Sequence, residues 1–293
     1  MPPEFSPALY RAGEGEPLVL VHGFTATWRC WLPLLAELVP RFEVIAPTLH
    51  GHHGGPVPPR VAHSLEHAAD HFEQLLDSLG VGTAHLAGNS MGGALAIELA
   101  KRGRARSVVA ISPGGGWRED DSREVERIIR LFKRNQKSAR VTERHHERLL
   151  GRPGFRRIGL RDVMTRGHLM PAEEAVLLTR SSTRCSIVDD VFVTMRNGSG
   201  RVVDLDQVKA PTLVAWGEKD RLLPMDRHAE RFRTEIPGGE FRVLRGLGHT
   251  PMWDDPAQIA ELIADFASAA SAAGDRQAAS VTAGAAGSAA SAG

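Results

Sequence analysis

A chain of 293 residues, 42% of them hydrophobic, is long enough for one large α/β domain or two modest ones and has ample material for a packed core, which excludes wholesale disorder. Its 36 Lys and Arg nearly balance 35 Asp and Glu, and the formal net charge of +1 gives no global field that would favour nucleic acid. Only two cysteines, Cys30 and Cys185, occur, far apart in sequence and outside any C-x-x-C spacing, which suggests neither a disulfide framework nor a thiolate zinc site; no run approaches a membrane span, and Met1 to Pro7 lacks a signal-like pattern, so the expectation is a soluble, cytoplasmic protein.

Pro17 to Val21 is a short apolar run that suits a strand buried on both faces. Trp28 to Leu38 follows with Trp31, Leu34, Leu35 and Leu38 at helical spacing, and Phe42 to Ala46 reads as a second buried strand. Strand, helix and strand in that order predict a parallel sheet with crossover helices. The next turn carries His50, His52 and His53. Their spacing matches no familiar zinc pattern and no Cys or carboxylate stands near, so the turn is read as a solvated loop. Ser64 then caps a helix whose apolar side is Ala68, Phe72, Leu75, Leu76 and Leu79.

Ala84 to Ala87 and Ala94 to Ala100 read as a strand and a helix joined through Gly88-Asn89-Ser90-Met91-Gly92-Gly93. This is the setting of a G-x-S-x-G nucleophile elbow, in which a serine on a strained turn needs small residues two positions to either side. Ser107 to Ser112 is another apolar strand, ended by Pro113-Gly114-Gly115-Gly116. From Trp117 to about Gly200 strand signals vanish and the chain becomes helical and arginine-rich, which predicts a helical insertion (113–200) between two parts of a sheet domain (1–112 and 201–270). Its positive excess is read first as solvated helix faces and second as a preference for anionic substrates. Strands resume at Pro211 to Gly217 and Phe241 to Leu244, separated by a helical stretch from Met225 to Ile236. A last helix runs from about Pro256 to Ala267, and Ser271 to Gly293, almost all Ala, Ser and Gly, is expected to be a disordered tail.

Ser90, Asp220 and His249 each fall in a loop after a predicted strand, and in a parallel sheet such loops share one edge. A serine hydroxyl needs a base to take its proton, and the base needs an acid to fix its tautomer, so the expected roles are nucleophile for Ser90, base for His249 and orienting acid for Asp220. Two N–H groups, of Met91 and Phe24, are the expected oxyanion donors, with His22 bracing the loop of Phe24. Asp254 and Asp255 are read as opening the last helix, where negative charge suits the dipole.

Four stretches, His22-Gly23-Phe24, Gly88 to Gly93, Trp216-Gly217-Glu218-Lys219-Asp220 and Gly248-His249, together resemble the α/β-hydrolase superfamily, particularly its capped branch of esterases, carbon–carbon bond hydrolases and epoxide hydrolases. The resemblance covers about Pro17 to Phe266. It implies a mostly parallel α/β-hydrolase sheet flanked by helices, with the helical insertion as a cap. Epoxide hydrolases use an aspartate at the elbow, where this chain has Ser90. The elbow is similar to that of the meta-cleavage product hydrolases, but these usually carry tryptophan after the catalytic histidine, where Thr250 stands, and a more glycine-rich oxyanion loop than Phe24 allows. Many members also have aspartate at the position of Thr48.

The resulting expectation is a serine hydrolase acting on a small or medium carboxylic ester, a small-molecule substrate, with no cofactor or metal, and with Trp28, Trp117, Leu222 and Trp253 beside Phe24 and Met91 as substrate walls. The alternatives are carbon–carbon cleavage, with cap arginines holding a substrate carboxylate, and a ligand-binding receptor with negligible turnover.

Overall fold

The computed structural model describes residues 4–5, 8–58, 63–119 and 121–290. Met1 to Pro3, Ser6 and Pro7 of the N-terminal stretch, and the last three residues of the tail, lie outside them. The strands are β1 (Glu4–Phe5), β2 (Leu9–Ala12), β3 (Pro17–Val21), β4 (Glu43–Pro47), β5 (Ala84–Asn89), β6 (Ala105–Ile111), β7 (Thr212–Gly217) and β8 (Glu240–Leu244). They form one sheet in the order β1-β2-β4-β3-β5-β6-β7-β8. β1 pairs antiparallel with β2 and β2 with β4; every other pairing is parallel.

Side chains along a strand alternate between faces, so a sheet covered on both sides must be apolar at every position. β3 shows this directly: Leu18 and Leu20 join one core cluster, Val19 and Val21 the other. The helices are α1 (Leu35–Leu38), α2 (Leu65–Ser78), α3 (Met91–Lys101), α4 (Ser122–Thr142), α5 (His146–Leu150), α6 (Pro153–Gly159), α7 (Ala172–Arg184), α8 (Val188–Arg196), α9 (Met225–His228), α10 (Glu230–Thr234) and α11 (Pro256–Ala290). α2 and α3 cover the Val19 face, and α1 and α11 the other. Ser64 caps α2 by accepting from His67 N at 3.3 Å.

Between β6 and β7 the described residues form no strand; the segment carries helices α4 to α8 and the connections between them. α4 buries Val125, Ile128 and Ile129 against the sheet's own cluster, while Leu150, Leu160, Met164, Met170, Ala175 and Val176 form a small separate core.

Three expectations change. Trp28 to Leu38 is a 3-10 stretch, Trp28–Leu34, followed by the single turn of α1; Pro33 lies inside it and has no N–H to give to an α-helical ladder. Met225 to Ile236 divides into α9 and α10. The tail expected to be disordered from Ser271 continues α11 through Ala290. Alanine, which dominates it, is the strongest helix former, and no proline follows Pro256. Ser271 also donates to Glu16 Oε2 at 2.5 Å and lies 3.0 Å from His85 Nε2, a tertiary anchor that composition cannot reveal.

Candidate active site

At the C-terminal end of β5 the chain turns into α3 through Ser90, whose φ of 56° and ψ of −119° lie where non-glycine residues pay for steric strain. The flanking glycines are required by contact. A Cβ on Gly88 would meet Gly92 O at 2.1 Å, and one on Gly92 would meet Val21 O at 2.1 Å. Ser90 N donates to Ile111 O at 2.9 Å, and Ser90 O accepts from Gly93, Ala94 and Gly114 at 3.0, 3.1 and 2.9 Å. The backbone is therefore fastened on both sides while the hydroxyl makes no cap hydrogen bond.

Asp220 and His249 come together from the loops after β7 and β8. His249 Nδ1 donates to Asp220 Oδ2 at 2.6 Å, and Asp220 Oδ1 accepts from the N–H groups of Leu222 and Leu223 at 2.9 and 2.8 Å. With Nδ1 protonated by that partnership, Nε2 holds the lone pair, and this buried nitrogen has no hydrogen-bond partner among the described residues. Ser90 and His249 line the same cavity.

Two further residues hold this arrangement. Asn89 donates from Nδ2 to Ile111 O at 3.1 Å and to His249 O at 2.9 Å, tying the histidine loop to the elbow. Asp254, 1% exposed, accepts from Gly248 N, Thr165 N and Arg166 N at 2.8, 3.0 and 2.6 Å. This corrects the expectation that Asp254 opens the last helix: only Asp255 does so, accepting from Gln258 N at 3.2 Å. Asp254 turns inward and joins the histidine loop to the segment between α6 and α7. Both residues are missed by sequence reasoning because their partners are backbone groups distant in the chain.

The loop after β3 lies against the elbow; a Cβ on Gly23 would be 3.1 Å from Ser90 Cβ. His22, fully buried, accepts from Leu49 N at its Nε2 (2.9 Å), so its Nδ1 carries the proton and donates to Gly23 O at 2.8 Å. Burial holds its pKa well below the usual imidazole range. The turn read as solvated is instead partly inside: His52 is 3% exposed, its ring 4.8 Å edge-on from that of His22, and burial lowers its pKa to about 4.

These histidines stay neutral in the folded chain at pH values where an unfolded histidine is already protonated. As pH falls below about 6.5 the unfolded state gains protons that the folded state does not, and stability is lost down to about pH 4; His52 alone removes about 3 kcal/mol. Urea unfolding followed across that window should show a falling midpoint, and His52→Gln should flatten the fall.

Two cavities of about 440 Å³ each meet at Ser90. The first lies over α2 and α3 and holds Met91, Trp117, Ile128, Val191 and Met195; the second lies under α5 to α7 and holds Leu150, Leu160, Met164, Trp253 and His249. Phe24, Phe132 and Leu222 line both. Among the described residues no Lys, Arg, Asp or Glu lines either one, and the first also carries His50, His52, His63, His67 and His71. Of the sequence-predicted walls, Phe24, Met91, Trp117, Leu222 and Trp253 are on these surfaces. Trp28 is not: it is 3% exposed in the core, its ring 5.3 Å from that of Tyr10, because the 3-10 stretch turns it toward the sheet.

The class that such a sheet and elbow define is the hydrolases built on a mostly parallel sheet. Comparison with known proteins agrees: residues 18–262 match the model of the alpha/beta hydrolase family, and the chain belongs to that family. It is 33% identical to the epoxide hydrolase EphH of Mycobacterium tuberculosis over 199 residues, 68% of this chain and 92% of that protein. It is 26% identical to a 2-hydroxy-6-oxo-6-phenylhexa-2,4-dienoate hydrolase of Burkholderia cepacia, over 87% of this chain and 88% of that one. Among solved structures, a thermophilic esterase from Thermogutta terrifontis superposes with a TM-score of 0.67 at 25% identity, covering 90% of this chain and 93% of the esterase.

Proposed function

We propose that the chain is a serine hydrolase of neutral, largely apolar carboxylic esters. The observation that carries this reading is the pair of largely apolar cavities meeting at Ser90, lined among the described residues by no Lys, Arg, Asp or Glu. An ester has two substituents, and each cavity alone falls within the size range of a small-molecule site. Ser90 Oγ attacks the carbonyl carbon while His249 Nε2 takes its proton, and Asp220 steadies the imidazolium. The oxyanion is received by the N–H groups of Met91, at the start of α3, and Phe24. His249 must then hand its proton to the departing oxygen, so the alcohol lies on the histidine's side, in the second cavity, and the acyl group in the first. Water, activated by His249, releases the acid and restores Ser90. The inserted helices act as the cap that closes both cavities.

Two relatives suggest other bonds. Opening an epoxide through an alkyl-enzyme needs a carboxylate nucleophile, and a serine stands at the elbow. A dienoate needs a cation for its carboxylate, and the arginines of the inserted helices stay out of both cavities; an unpaired carboxylate there would cost several kcal/mol. The test is a p-nitrophenyl ester series of increasing acyl length, run beside acyl chains of equal length that end in a carboxylate. The methyl-ended series should rise in kcat/KM to an optimum, and the carboxylate should lower kcat/KM by about 100-fold or more. Preference for the carboxylate, or faster turnover of a meta-cleavage product than of any ester, would replace this reading with carbon–carbon cleavage. Ligand binding without turnover would replace it with the receptor reading.

A further inference from the structure

The arginines of the inserted helices line neither cavity. Arg134, Arg180, Arg184 and Arg196 are paired with Asp162, Glu147, Glu143 and Glu126. Arg148, Arg152, Arg157 and Arg161 are exposed, and no carboxylate lies within ion-pair distance of them among the described residues. Arg118, Arg123, Arg130, Arg140 and Arg144 are also exposed and outside these ion pairs, but Arg148, Arg152, Arg157 and Arg161 gather in the α5–α6 region. The same region exposes Phe155 (44%) and Ile158 (64%), three residues apart on one face of α6, and both line the second cavity. Arg156 turns inward between them and donates to Leu150 O at 2.6 Å and His168 O at 3.1 Å, so the platform is fixed to the helices behind it.

Water-exposed aromatic and β-branched side chains at the edge of an apolar cavity, ringed by cations that have no protein partner, match an interface that is apolar within and anionic at its surface. We propose that α5 and α6 dock the protein on anionic lipid surfaces, with Phe155 and Ile158 entering the headgroup layer and Arg148, Arg152, Arg157 and Arg161 meeting lipid phosphates. An apolar ester dissolved in the bilayer then faces the second cavity without crossing water. That delivery rests on the ester reading; the docking does not. A nucleic acid would satisfy the arginines but would leave the two apolar side chains against a charged backbone.

The experiment is co-sedimentation of the full chain with vesicles of phosphatidylcholine alone and of phosphatidylcholine with phosphatidylglycerol, at low and high salt. It needs no turnover, so it fails or succeeds separately from the ester assay. Binding is expected to the anionic vesicles only and to weaken with salt. Arg152→Glu/Arg157→Glu/Arg161→Glu should lower the partition coefficient about 100-fold, while hydrolysis of a water-soluble ester by the same variant stays at the wild-type rate, which shows that it is folded. Ile158→Trp should shift its emission to the blue on anionic vesicles. Equal binding to neutral vesicles, full binding by the charge-reversed variant, or displacement from vesicles by an equal charge of duplex DNA would overturn the proposal.

Discussion

Replacing Ser90 with alanine should lower kcat on a p-nitrophenyl ester by roughly 10⁵-fold while leaving thermal stability near that of the wild type. The two halves of this expectation have separate causes. The Ser90 side chain makes no cap hydrogen bond, and its backbone is held through its own N–H and C=O, so deleting one oxygen breaks nothing that supports the fold. On the proposed mechanism, however, the alanine variant lacks the oxygen that attacks, and His249 Nε2 has no proton to accept from it. Ser90→Gly sharpens the test. Glycine relieves the strain at a φ of 56° and should raise stability by about 1 kcal/mol, yet be equally inactive. The checks are ester hydrolysis and a melting curve on each variant. A variant retaining a tenth of the wild-type rate would remove Ser90 as the nucleophile, and a joint loss of rate and melting temperature would mean the elbow had collapsed.

The elbow was legible in the sequence because its requirement is local. Gly88 and Gly92 must be small for reasons within a few residues and one neighbouring strand, and β3 and β5 to β7 announce themselves as apolar runs because both faces of the sheet are covered. Asp220 and His249 were legible through the order of loops after strands. Other features depend on partners far along the chain. β2 is a strand because β1 and β4 flank it with antiparallel edges, and no turn signal marks its pairing with β4. His52 sits in a turn of glycines, prolines and histidines that looks solvated, and only its packing on His22 buries it. Trp28 has the chemistry of a pocket wall and the position of a core residue. The positive excess of residues 117–200 is real in the sequence, but only the structure shows which arginines are paired, which four lie beside Phe155 and Ile158, and that none of them lines either cavity.

Asp254 carries the second large expectation. Its carboxylate gives Oδ2 to Gly248 N and Thr165 N and Oδ1 to Arg166 N, so both oxygens are engaged and the residue is almost wholly buried. Asp254→Asn keeps the size but offers one acceptor. Either orientation of the amide sets an N–H against an N–H, and the loss should be about 2–4 kcal/mol. The consequence reaches the site because Gly248 precedes His249. The same loop is held to the inserted segment by Thr250 N to Val163 O at 2.8 Å and Thr165 Oγ1 to Gly246 O at 3.0 Å, and a Cβ on Gly248 would be 2.8 Å from Val163 O. There is no slack to absorb a shift. A displacement of 1 Å in a reacting group costs about 100-fold, so kcat on a short soluble ester should fall 10- to 100-fold with KM little changed. Melting curves and steady-state kinetics on the same preparation separate the roles. A normal kcat with a lowered melting temperature would mean that Asp254 only fastens the inserted helices. A lowered kcat on short and long esters alike would mean that it places His249, since a short ester makes no demand on the helices above it.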